Sequence, residues 1–237
     1  MIKITEYTEK PLDMMGKSAG YCYNTTNEKW FKRIAEQCLR EGHLRVAEFP
    51  DIHFEFSEYS GKVMRELFRH VHLTGLQEST RYVDMTNFKY QTPPSIAKNV
   101  EAKEEWDKGM EDITIVVAKL KELGIPVEDF SNIIPLAYNT KGVMKIGLRE
   151  LMHIFNVRAC SCAYHEARKF CMELKKAIKD TGNEQWIWIA DNYLVPKCDI
   201  KMYCEEEKRW NLCKRHPKKS QVKDLIEEYK NNNNWRD

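Results

Sequence analysis

The chain has 237 residues, of which 42% are hydrophobic and 31% charged, and its 38 Lys and Arg against 36 Asp and Glu give a net charge of +2. This composition is typical of a globular protein with one large or two small domains. Such balanced charge gives no argument for a nucleic-acid-coating surface, and no apolar run approaches the ~20 residues of a membrane span. The N-terminal residues lack the apolar stretch of a signal peptide, so we expect a cytoplasmic protein. From the balanced charge and the absence of a long apolar run, we expect no nucleic-acid and no membrane partner.

The first part of the chain carries both strand and helix patterns. Residues 2–8 alternate between apolar and polar groups and predict a strand, and alternation over 52–56 predicts a second, half-buried strand. Apolar groups at close to helical spacing predict a helix over 28–41, with Gly42 as its C-cap. Residues 60–70 predict another helix.

Helical patterns dominate the rest of the chain. Residues 81–88 look extended and stop before Pro93. Long helical patterns then cover 95–123, which ends at Gly124, and roughly 148–180. Because strands and helices do not alternate strictly, the pattern predicts an α+β fold and not a doubly wound one.

The common catalytic motifs are absent from this sequence. It has no GxGxxG after a strand, no Walker loop, no HExxH and no GxSxG. The missing motifs exclude the simplest interpretations as a nucleotide-hydrolysing enzyme, a Rossmann-fold enzyme or a serine hydrolase. They do not exclude a protein that binds flavin on another fold.

The most informative segment runs from Arg69 to Tyr82. It holds two arginines, two histidines, a serine and two threonines at a predicted helix-to-strand junction. Guanidinium groups and hydroxyls are what a bound phosphate needs, since they offer charge-assisted and partly bidentate hydrogen bonds. By composition alone, a solvated loop with ordinary charge pairing is the favoured interpretation, because charged loops are common.

The order of residues in three stretches favours the anion site. The first holds Arg69-His70, then Ser79 and Arg81-Tyr82. This order resembles the signature of the flavin-dependent thymidylate synthases, in which Arg-His-Arg precedes Ser-x-Arg-Tyr. Two further stretches are similar to that family in the same order along the chain: Gly42-His43 with Glu48, and Leu148 to Arg158 followed by Ala163, Glu166 and Arg168.

The resemblance implies a fold and an activity. The fold would be the α+β fold of that family, a mixed sheet flanked by long helices, over residues 1–195, followed by a Cys-containing extension over 196–237 with a partly disordered tail. Family members are flavoproteins that bind FAD as homotetramers with shared sites. They transfer a one-carbon unit from methylenetetrahydrofolate to C5 of dUMP and reduce it to give dTMP, with NADPH reducing the flavin. The chain would thus be a methyltransferase of dTMP biosynthesis.

The resemblance also implies the roles of individual residues. Ser79 and Arg81 would hold the nucleotide phosphate, and Arg158 would favour negative charge on the pyrimidine ring. Ser79 and Arg158 are therefore the catalytic candidates. The substrate-binding candidates are Glu66, Arg69, Gln77, Ser79, Arg81 and Arg158, and the FAD-binding candidates are His43, Glu48, Arg69, His70, His72, Arg149 and His153.

Several of these residues have simple structural explanations. His43 could offset a helix dipole, Glu48 could be surface charge and His153 a core imidazole. Arg158 within an apolar helix face is harder to explain in this way, because an unpaired buried guanidinium is costly.

The sequence also departs from the family pattern. Val71, Ser131 and Gly147 stand where the family has Arg, Arg and Asn, and Glu66 replaces a Gln. An unreplaced Arg–phosphate contact costs ~1.5–3 kcal/mol, and Lys141 is a candidate replacement. A same-fold enzyme that modifies another pyrimidine nucleotide or adds a hydroxymethyl group fits the same residues. A non-catalytic nucleotide-binding protein that uses the basic stretch 208–219 is the alternative from another class.

The cysteines near the C-terminus suggest a further site. Cys198, Cys204, Cys213 and His216 could complete a tetrahedral zinc site, although the first spacing is longer than usual. Three unconnected thiols in a Lys- and Glu-rich surface segment are the simpler alternative. Cys160 and Cys162, two apart on a predicted helix, would face different directions, so we interpret them as packing residues.

Overall fold

The computed structural model describes residues 1–25 and 27–232. Four strands run over β1 (Ile2–Tyr7), β2 (Asp51–Ser60), β3 (Leu73–Gln77) and β4 (Asn139–Gly147). The α-helices are α1 (Pro11–Gly20), α2 (Phe31–Arg40), α3 (Gly61–Leu67), α4 (Pro94–Ala97), α5 (Val100–Glu122), α6 (Val127–Phe130), α7 (Leu148–Arg158), α8 (His165–Asp180), α9 (Glu184–Tyr193), α10 (Lys197–Lys201) and α11 (Lys219–Asn232). Short 3-10 turns cover Tyr21–Tyr23, Glu28–Trp30, Leu44–Glu48, Ser131–Ile133 and Glu207–Leu212.

The chain divides into two compact units. The first comprises residues 1–7 and 52–146, and the second comprises residues 8–51 and 147–237. The predicted boundary between residues 195 and 196 remains a prediction. Of the Asn run at 231–234, Asn231 and Asn232 belong to α11, whereas Asn233 and Asn234 lie outside the described residues. No helix within the described ranges is long and apolar enough to cross a membrane.

The first unit contains a four-stranded sheet with the strand order β1-β2-β4-β3. β1 pairs antiparallel with β2, and β3 pairs antiparallel with β4, so the mixed pattern that we expected is not seen at these two pairings. The alternation predicted for β2 is confirmed, since Phe54 and Phe56 are buried. Ile146 on β4 is also buried. Neither β3 nor β4 was predicted from the sequence. In β3 only Leu73 and Gly75 are half-buried, so its pattern of apolar residues is weak.

Two predictions in the first unit, one of an extended segment and one of a helix, need correction. Residues 81–88 form turns and not an extended segment, because Ser79 O accepts hydrogen bonds from Tyr82 N at 3.3 Å and Val83 N at 3.1 Å. The helix predicted over 95–123 is divided, and its main part begins after Asn99, whose side chain accepts a hydrogen bond from Ala102 N at 3.0 Å. Gly124 ends this helix region with φ of 77°, as its position in the sequence suggests.

The second unit is helical. α1 and α2 approach so closely that a Cβ at Gly16 would lie 1.9 Å from Phe31 O. α7 buries Leu148, Leu151 and Phe155, and this buried face leaves other α7 side chains available for a site. The block predicted over 148–180 is two helices, since α7 ends at Arg158 and α8 begins at His165.

Candidate functional site

The anion-binding candidates Ser79 and Arg81 lie on one tight turn of the first unit. Ser79 Oγ accepts a hydrogen bond from Arg81 N at 3.2 Å, a local side-chain-to-backbone bond that replaces extended structure. The turn follows directly on β3, whose last residue Gln77 pairs with Gly142. Ser79 and Arg81 are therefore held on a short, hydrogen-bonded loop at a sheet edge.

Arg81 is engaged by a carboxylate that the sequence did not reveal. Its Nε and Nη2 donate to Glu128 Oε2 at 3.0 and 2.8 Å, and the two side chains are 62% and 51% exposed. The guanidinium also lies 5.5 Å from the ring centroid of Tyr82. Arg81 is thus oriented yet accessible, and Glu128 occupies its hydrogen-bonding edge as an anion would.

Ser131, one of the departures from the family pattern, lies in the turn that follows Glu128. Its hydroxyl donates to Glu128 O at 3.4 Å, and Asn132 Nδ2 donates to the same oxygen at 3.0 Å. Where the family has a cationic side chain, this chain therefore has a small hydroxyl that is hydrogen-bonded to the backbone of Glu128, the residue whose carboxylate binds Arg81. The acidic first turn of α6, Glu128-Asp129, is the signal that could have indicated this partner.

Lys141 lies beside the turn that carries Ser79 and Arg81. Its carbonyl accepts a hydrogen bond from Glu78 N at 2.9 Å, and its ammonium group is 3.3 Å from a Glu78 carboxylate oxygen. Glu78 immediately precedes Ser79, so Lys141 brings a 70% exposed cation next to the anion-binding candidates. This position is consistent with Lys141 as a replacement for the cation missing at Ser131.

The remaining candidate residues of the first unit lie in α3 or in the chain directly after it. Ser60 caps that helix by accepting a hydrogen bond from Val63 N at 3.1 Å. His70 is buried just after the helix, while Arg69, His72 and Gln77 are exposed and Glu66 is half-buried. Val71, where the family has its second Arg, is 87% exposed. In the part of the chain that the structure describes, no hydrogen bond joins Arg69 to the Ser79 turn.

In the second unit, two of the predicted flavin contacts meet. Arg149, in the first turn of α7, forms an ion pair with Glu48 at the end of the Leu44–Glu48 turn. Arg45 also approaches Glu48, at 3.5 Å. His43 is exposed at the start of this turn and lies 3.5 Å from Glu41. Glu48 is therefore a partner of the Arg149 guanidinium, not an isolated surface charge.

α7 presents the other candidates of this unit. Arg149 and His153 are four residues apart and both exposed, so they share one face of the helix. Arg158 is half-buried at the end of α7, where its positive charge acts on the buried Cys171 thiol. Burial nevertheless dominates and raises the pKa of Cys171 to about 12.

Gly147, another departure, has room for a side chain. It is the N-cap of α7 with ordinary extended angles, φ −68° and ψ 149°. A Cβ there would meet only Pro50 O at 3.9 Å and Glu48 O at 4.0 Å, which are ordinary contact distances. The backbone therefore does not require glycine at this position.

The C-terminal cysteines lie near two cysteines that we had interpreted as packing residues. A cavity of about 390 Å³ in the second unit is lined by Cys198, Cys204 and Cys213, and also by Cys160 and Cys162. The helical placement of Cys160 and Cys162 was wrong, because they lie in the loop between α7 and α8. Arg168 holds this loop by donating to Ser161 O at 2.7 Å and Ala163 O at 2.8 Å.

His216 is placed by a carboxylate. Its Nε2 lies 2.8 Å from Asp199 Oδ1, and the same oxygen is 2.8 Å from Arg215 Nε. The ligand atoms of Cys198, Asp199 and His216 all lie within 4.8 Å of one another. The structure thus brings His216 near Cys198, with Asp199 between them as a partner that the sequence did not indicate.

Comparisons with known proteins identify similar sequences and folds. Residues 3–181 match the family model described as thymidylate synthase complementing protein. A flavin-dependent thymidylate synthase of Nitratidesulfovibrio vulgaris is 26% identical, over 91% of this chain and 95% of its own length. One from Thermococcus onnurineus is 28% identical, over 86% of this chain and 89% of its own. The structure of the Helicobacter pylori flavin-dependent thymidylate synthase ThyX, complexed with FAD and dUMP, superposes with a TM-score of 0.59 at 18% identity and covers 74% of this chain and 92% of that one.

Proposed function

Because the chain belongs to the thymidylate synthase complementing protein family, we propose that it is a flavin-dependent thymidylate synthase. Its substrate is dUMP, and the product is dTMP. Methylenetetrahydrofolate is the one-carbon donor, FAD is the cofactor and NADPH reduces the flavin. The working form is a cytoplasmic homotetramer with shared sites. The observation that carries the proposal is the Ser79–Arg81 turn, which places a hydroxyl and an oriented guanidinium together on an exposed loop.

The nucleotide phosphate binds at this turn. Arg81 already uses two nitrogen donors on a carboxylate oxygen, which is the geometry that a phosphate oxygen needs. A phosphate dianion carries more charge than Glu128 and can replace it on Arg81, while the Ser79 hydroxyl and Lys141 add further donors. The exposed Arg69 and Gln77, together with Glu66, are the further nucleotide contacts that we propose.

The second unit supplies residues suited to FAD. The Arg149 guanidinium is half-exposed at the first turn of α7, and His153 follows it on the same face. Cationic and imidazole donors suit a pyrophosphate, and the space at Gly147 leaves this end of α7 open. His43, Glu48, Arg69, His70 and His72 are the remaining FAD contacts that we propose.

Bound FAD supplies the redox chemistry of the one-carbon transfer, and the protein supplies binding, orientation and charge. Arg158 provides a fixed cation that stabilises negative charge on the pyrimidine ring as C5 becomes nucleophilic. Ser79 holds the nucleotide so that C5 is presented in one orientation. This division of labour agrees with the absence of a nucleophile–base motif from the sequence.

A second candidate is an enzyme of the same fold acting on another pyrimidine nucleotide or delivering a hydroxymethyl group. The observation that favours it is Ser131, a small hydroxyl beside Glu128 where the family has Arg. In this alternative the Ser79–Arg81 turn still binds phosphate, and only the base or the product differs.

Equilibrium binding separates these candidates from a flavin-free module. We expect the purified chain to bind FAD and to bind dUMP roughly 10- to 100-fold more tightly than deoxyuridine, since the phosphate adds charge-assisted hydrogen bonds. Tighter binding of dCMP than of dUMP would favour the second candidate. A colourless protein that takes up no added FAD would overturn both enzyme proposals.

A further inference from the structure

We propose that Cys198, Asp199 and His216 bind one zinc ion, with a water molecule as the fourth ligand, and that this ion fastens the C-terminal segment, residues 197–218. The segment lies beyond residues 3–181, the part of the chain that matches the family model. A thiolate, a carboxylate and an imidazole are the three kinds of ligand that zinc takes from proteins. On binding, the Cys198 thiol releases one proton, His216 binds as the neutral imidazole, and no electron is transferred.

The three ligand atoms are already close together. The Cys198 sulfur, a carboxylate oxygen of Asp199 and a ring nitrogen of His216 all lie within 4.8 Å of one another. Asp199 Oδ1 is 2.8 Å from His216 Nε2 and 4.0 Å from Cys198 Sγ. Tetrahedral zinc places such oxygen–nitrogen and oxygen–sulfur pairs about 3.4 Å and about 3.6 Å apart. Both separations therefore differ from the zinc geometry by only about 0.5 Å.

Backbone hydrogen bonds fix the position of the imidazole relative to α10. His216 O accepts a hydrogen bond from Trp210 Nε1 at 2.7 Å. The carbonyl of the next residue, Pro217, accepts a hydrogen bond from Cys204 N at 2.7 Å, and Cys204 forms a parallel bridge with Lys218. Cys204 follows α10 directly, so the stretch that carries His216 lies beside the chain that carries the other two ligands. None of these bonds uses the imidazole.

The C-terminal segment has almost no apolar core of its own. Among residues 197–218, all of which the structure describes, only Cys204 is buried. The side chains of Ile200, Met202 and Leu212 are 48%, 65% and 64% exposed. Apolar burial therefore contributes little to holding the segment in one conformation. Small folded regions of this kind usually depend on a disulfide or a metal, and each of the eight cysteines is free.

The groups around the three ligands are compatible with a bound cation. Arg215 Nε donates to Asp199 Oδ1 at 2.8 Å, and its side chain is 58% exposed. A carboxylate has about four acceptor positions on its two oxygens, so Asp199 can bind zinc and keep Arg215 as a partner. Partners of this kind orient metal ligands. The Asp199 and His216 side chains are 17% and 16% exposed, which shields the ion yet leaves its fourth position open to solvent.

This ligand set differs from the one that the sequence suggested, which was Cys198, Cys204, Cys213 and His216. The group whose ligand atoms meet contains Asp199 and neither Cys204 nor Cys213. Cys213 is exposed and directly follows the Glu207–Leu212 turn. It is therefore a matched control, because it is a thiol of the same segment that lies outside the proposed set.

Zinc content of the purified full-length chain tests the ligand set. After chelation and dialysis against zinc, the wild type should retain about one zinc per chain. Cys198→Ser and His216→Ala should lose this zinc, and Cys213→Ser should keep it. Loss in Cys213→Ser would overturn the three-residue set in favour of the set that the sequence suggested. Zinc kept by both ligand variants, or no zinc in the wild type, would overturn the proposal and leave Asp199, His216 and Arg215 as an ion-pair network only.

Cobalt substitution keeps the test independent of how the variants fold. Co²⁺ added to the metal-free wild type should give the visible absorption of a four-coordinate ion together with a thiolate charge-transfer band. A weak, octahedral spectrum without that band would overturn the proposal. FAD content measured on the same samples distinguishes this failure from failure of the proposed enzymatic function.

Limited proteolysis tests the fastening role. Lys208 and Arg209 lie between the ligands along the chain and are both exposed, so trypsin can cut there once the segment opens. Free zinc at about 100 times its Kd should slow this cleavage roughly 100-fold in the wild type, because binding lowers the open population by that factor. Cys198→Ser, which lacks a ligand, should show no zinc effect. Cleavage of the wild type at the same rate with and without zinc would overturn the fastening role.

Discussion

Arg81 and Glu128 form an ion pair across the first unit in which two guanidinium nitrogens, Nε and Nη2, share one carboxylate oxygen at 3.0 and 2.8 Å. The pair joins the residue proposed to bind the nucleotide phosphate to the turn that contains Ser131. Glu128 therefore orients Arg81 before a ligand arrives and competes with that ligand afterwards.

Arg81→Ala should weaken dUMP binding far more than FAD binding. Loss of a charge-assisted phosphate contact costs ~1.5–3 kcal/mol, which corresponds to roughly 10- to 150-fold in affinity. Isothermal titration calorimetry with dUMP and fluorescence titration with FAD measure the two affinities. Lys119→Ala removes an exposed cation on α5 and serves as the control. Equal losses of both ligands in Arg81→Ala would contradict the assignment.

Glu128→Gln should strengthen dUMP binding. The neutral amide no longer competes for Arg81 and no longer repels the phosphate, and an exposed ion pair of this kind is worth ~0.2–1 kcal/mol, or up to about fivefold in affinity. Glu122→Gln, which removes an exposed ion-pair partner of Lys119, is the matched control. Weaker dUMP binding in Glu128→Gln would mean that the ion pair serves only to position Arg81.

Gly147→Asn should be tolerated and should tighten FAD binding. The position is the uncapped N-cap of α7, where Asn is preferred over Gly by a few tenths of a kcal/mol. One added hydrogen bond to the cofactor is worth ~0.5–1.5 kcal/mol, or about 2- to 12-fold in affinity. Thermal unfolding and FAD titration test the two effects separately. A lower melting temperature would show that the space at Gly147 is needed for packing.

Gly142→Ala and Gly109→Ala should have opposite effects on stability. A Cβ at Gly142 would lie 2.1 Å from Leu76 O on the neighbouring strand, so the β3–β4 pairing must shift. A Cβ at Gly109 meets nothing within 4 Å, and alanine within α5 should stabilise by ~0.5–1 kcal/mol. Urea denaturation of both variants measures the difference. Comparable midpoints would contradict the close approach of the two strands.

Cys171 should resist alkylation in the folded protein while Cys22 reacts. Burial raises the pKa of Cys171 to about 12, so near about pH 8 the thiol is both protonated and inaccessible. Cys22 is exposed. Mass spectrometry after brief iodoacetamide treatment should show the label on Cys22 and none on Cys171, and urea should remove the difference. Early labelling of Cys171 would contradict its buried position in α8.

The sequence predicted those features that depend on local pattern. β2 has one buried face, so alternation revealed Phe54 and Phe56, and Gly42 and Gly124 end their helices with positive φ. Ser79 and Arg81 were identified from the order of residues along the chain alone, and the structure places both on one turn.

The features that were missed depend on contacts distant in sequence or on short-range polar bonds. Glu128 is 47 residues from Arg81, so no local pattern could pair them. The Ser79 turn overrode the extended pattern of residues 81–88 through its own hydrogen bonds. Cys160 and Cys162 looked helical because the break after Arg158 carries no Gly or Pro, and their neighbours in the cavity lie far along the chain.

The most direct test of the account is product analysis. The chain, loaded with FAD and supplied with NADPH, methylenetetrahydrofolate and dUMP, should form dTMP, and Arg158→Ala should lower this turnover more than it lowers FAD content. Binding of FAD and dUMP without any dTMP, or with a different nucleotide product, would contradict the assignment as a thymidylate synthase.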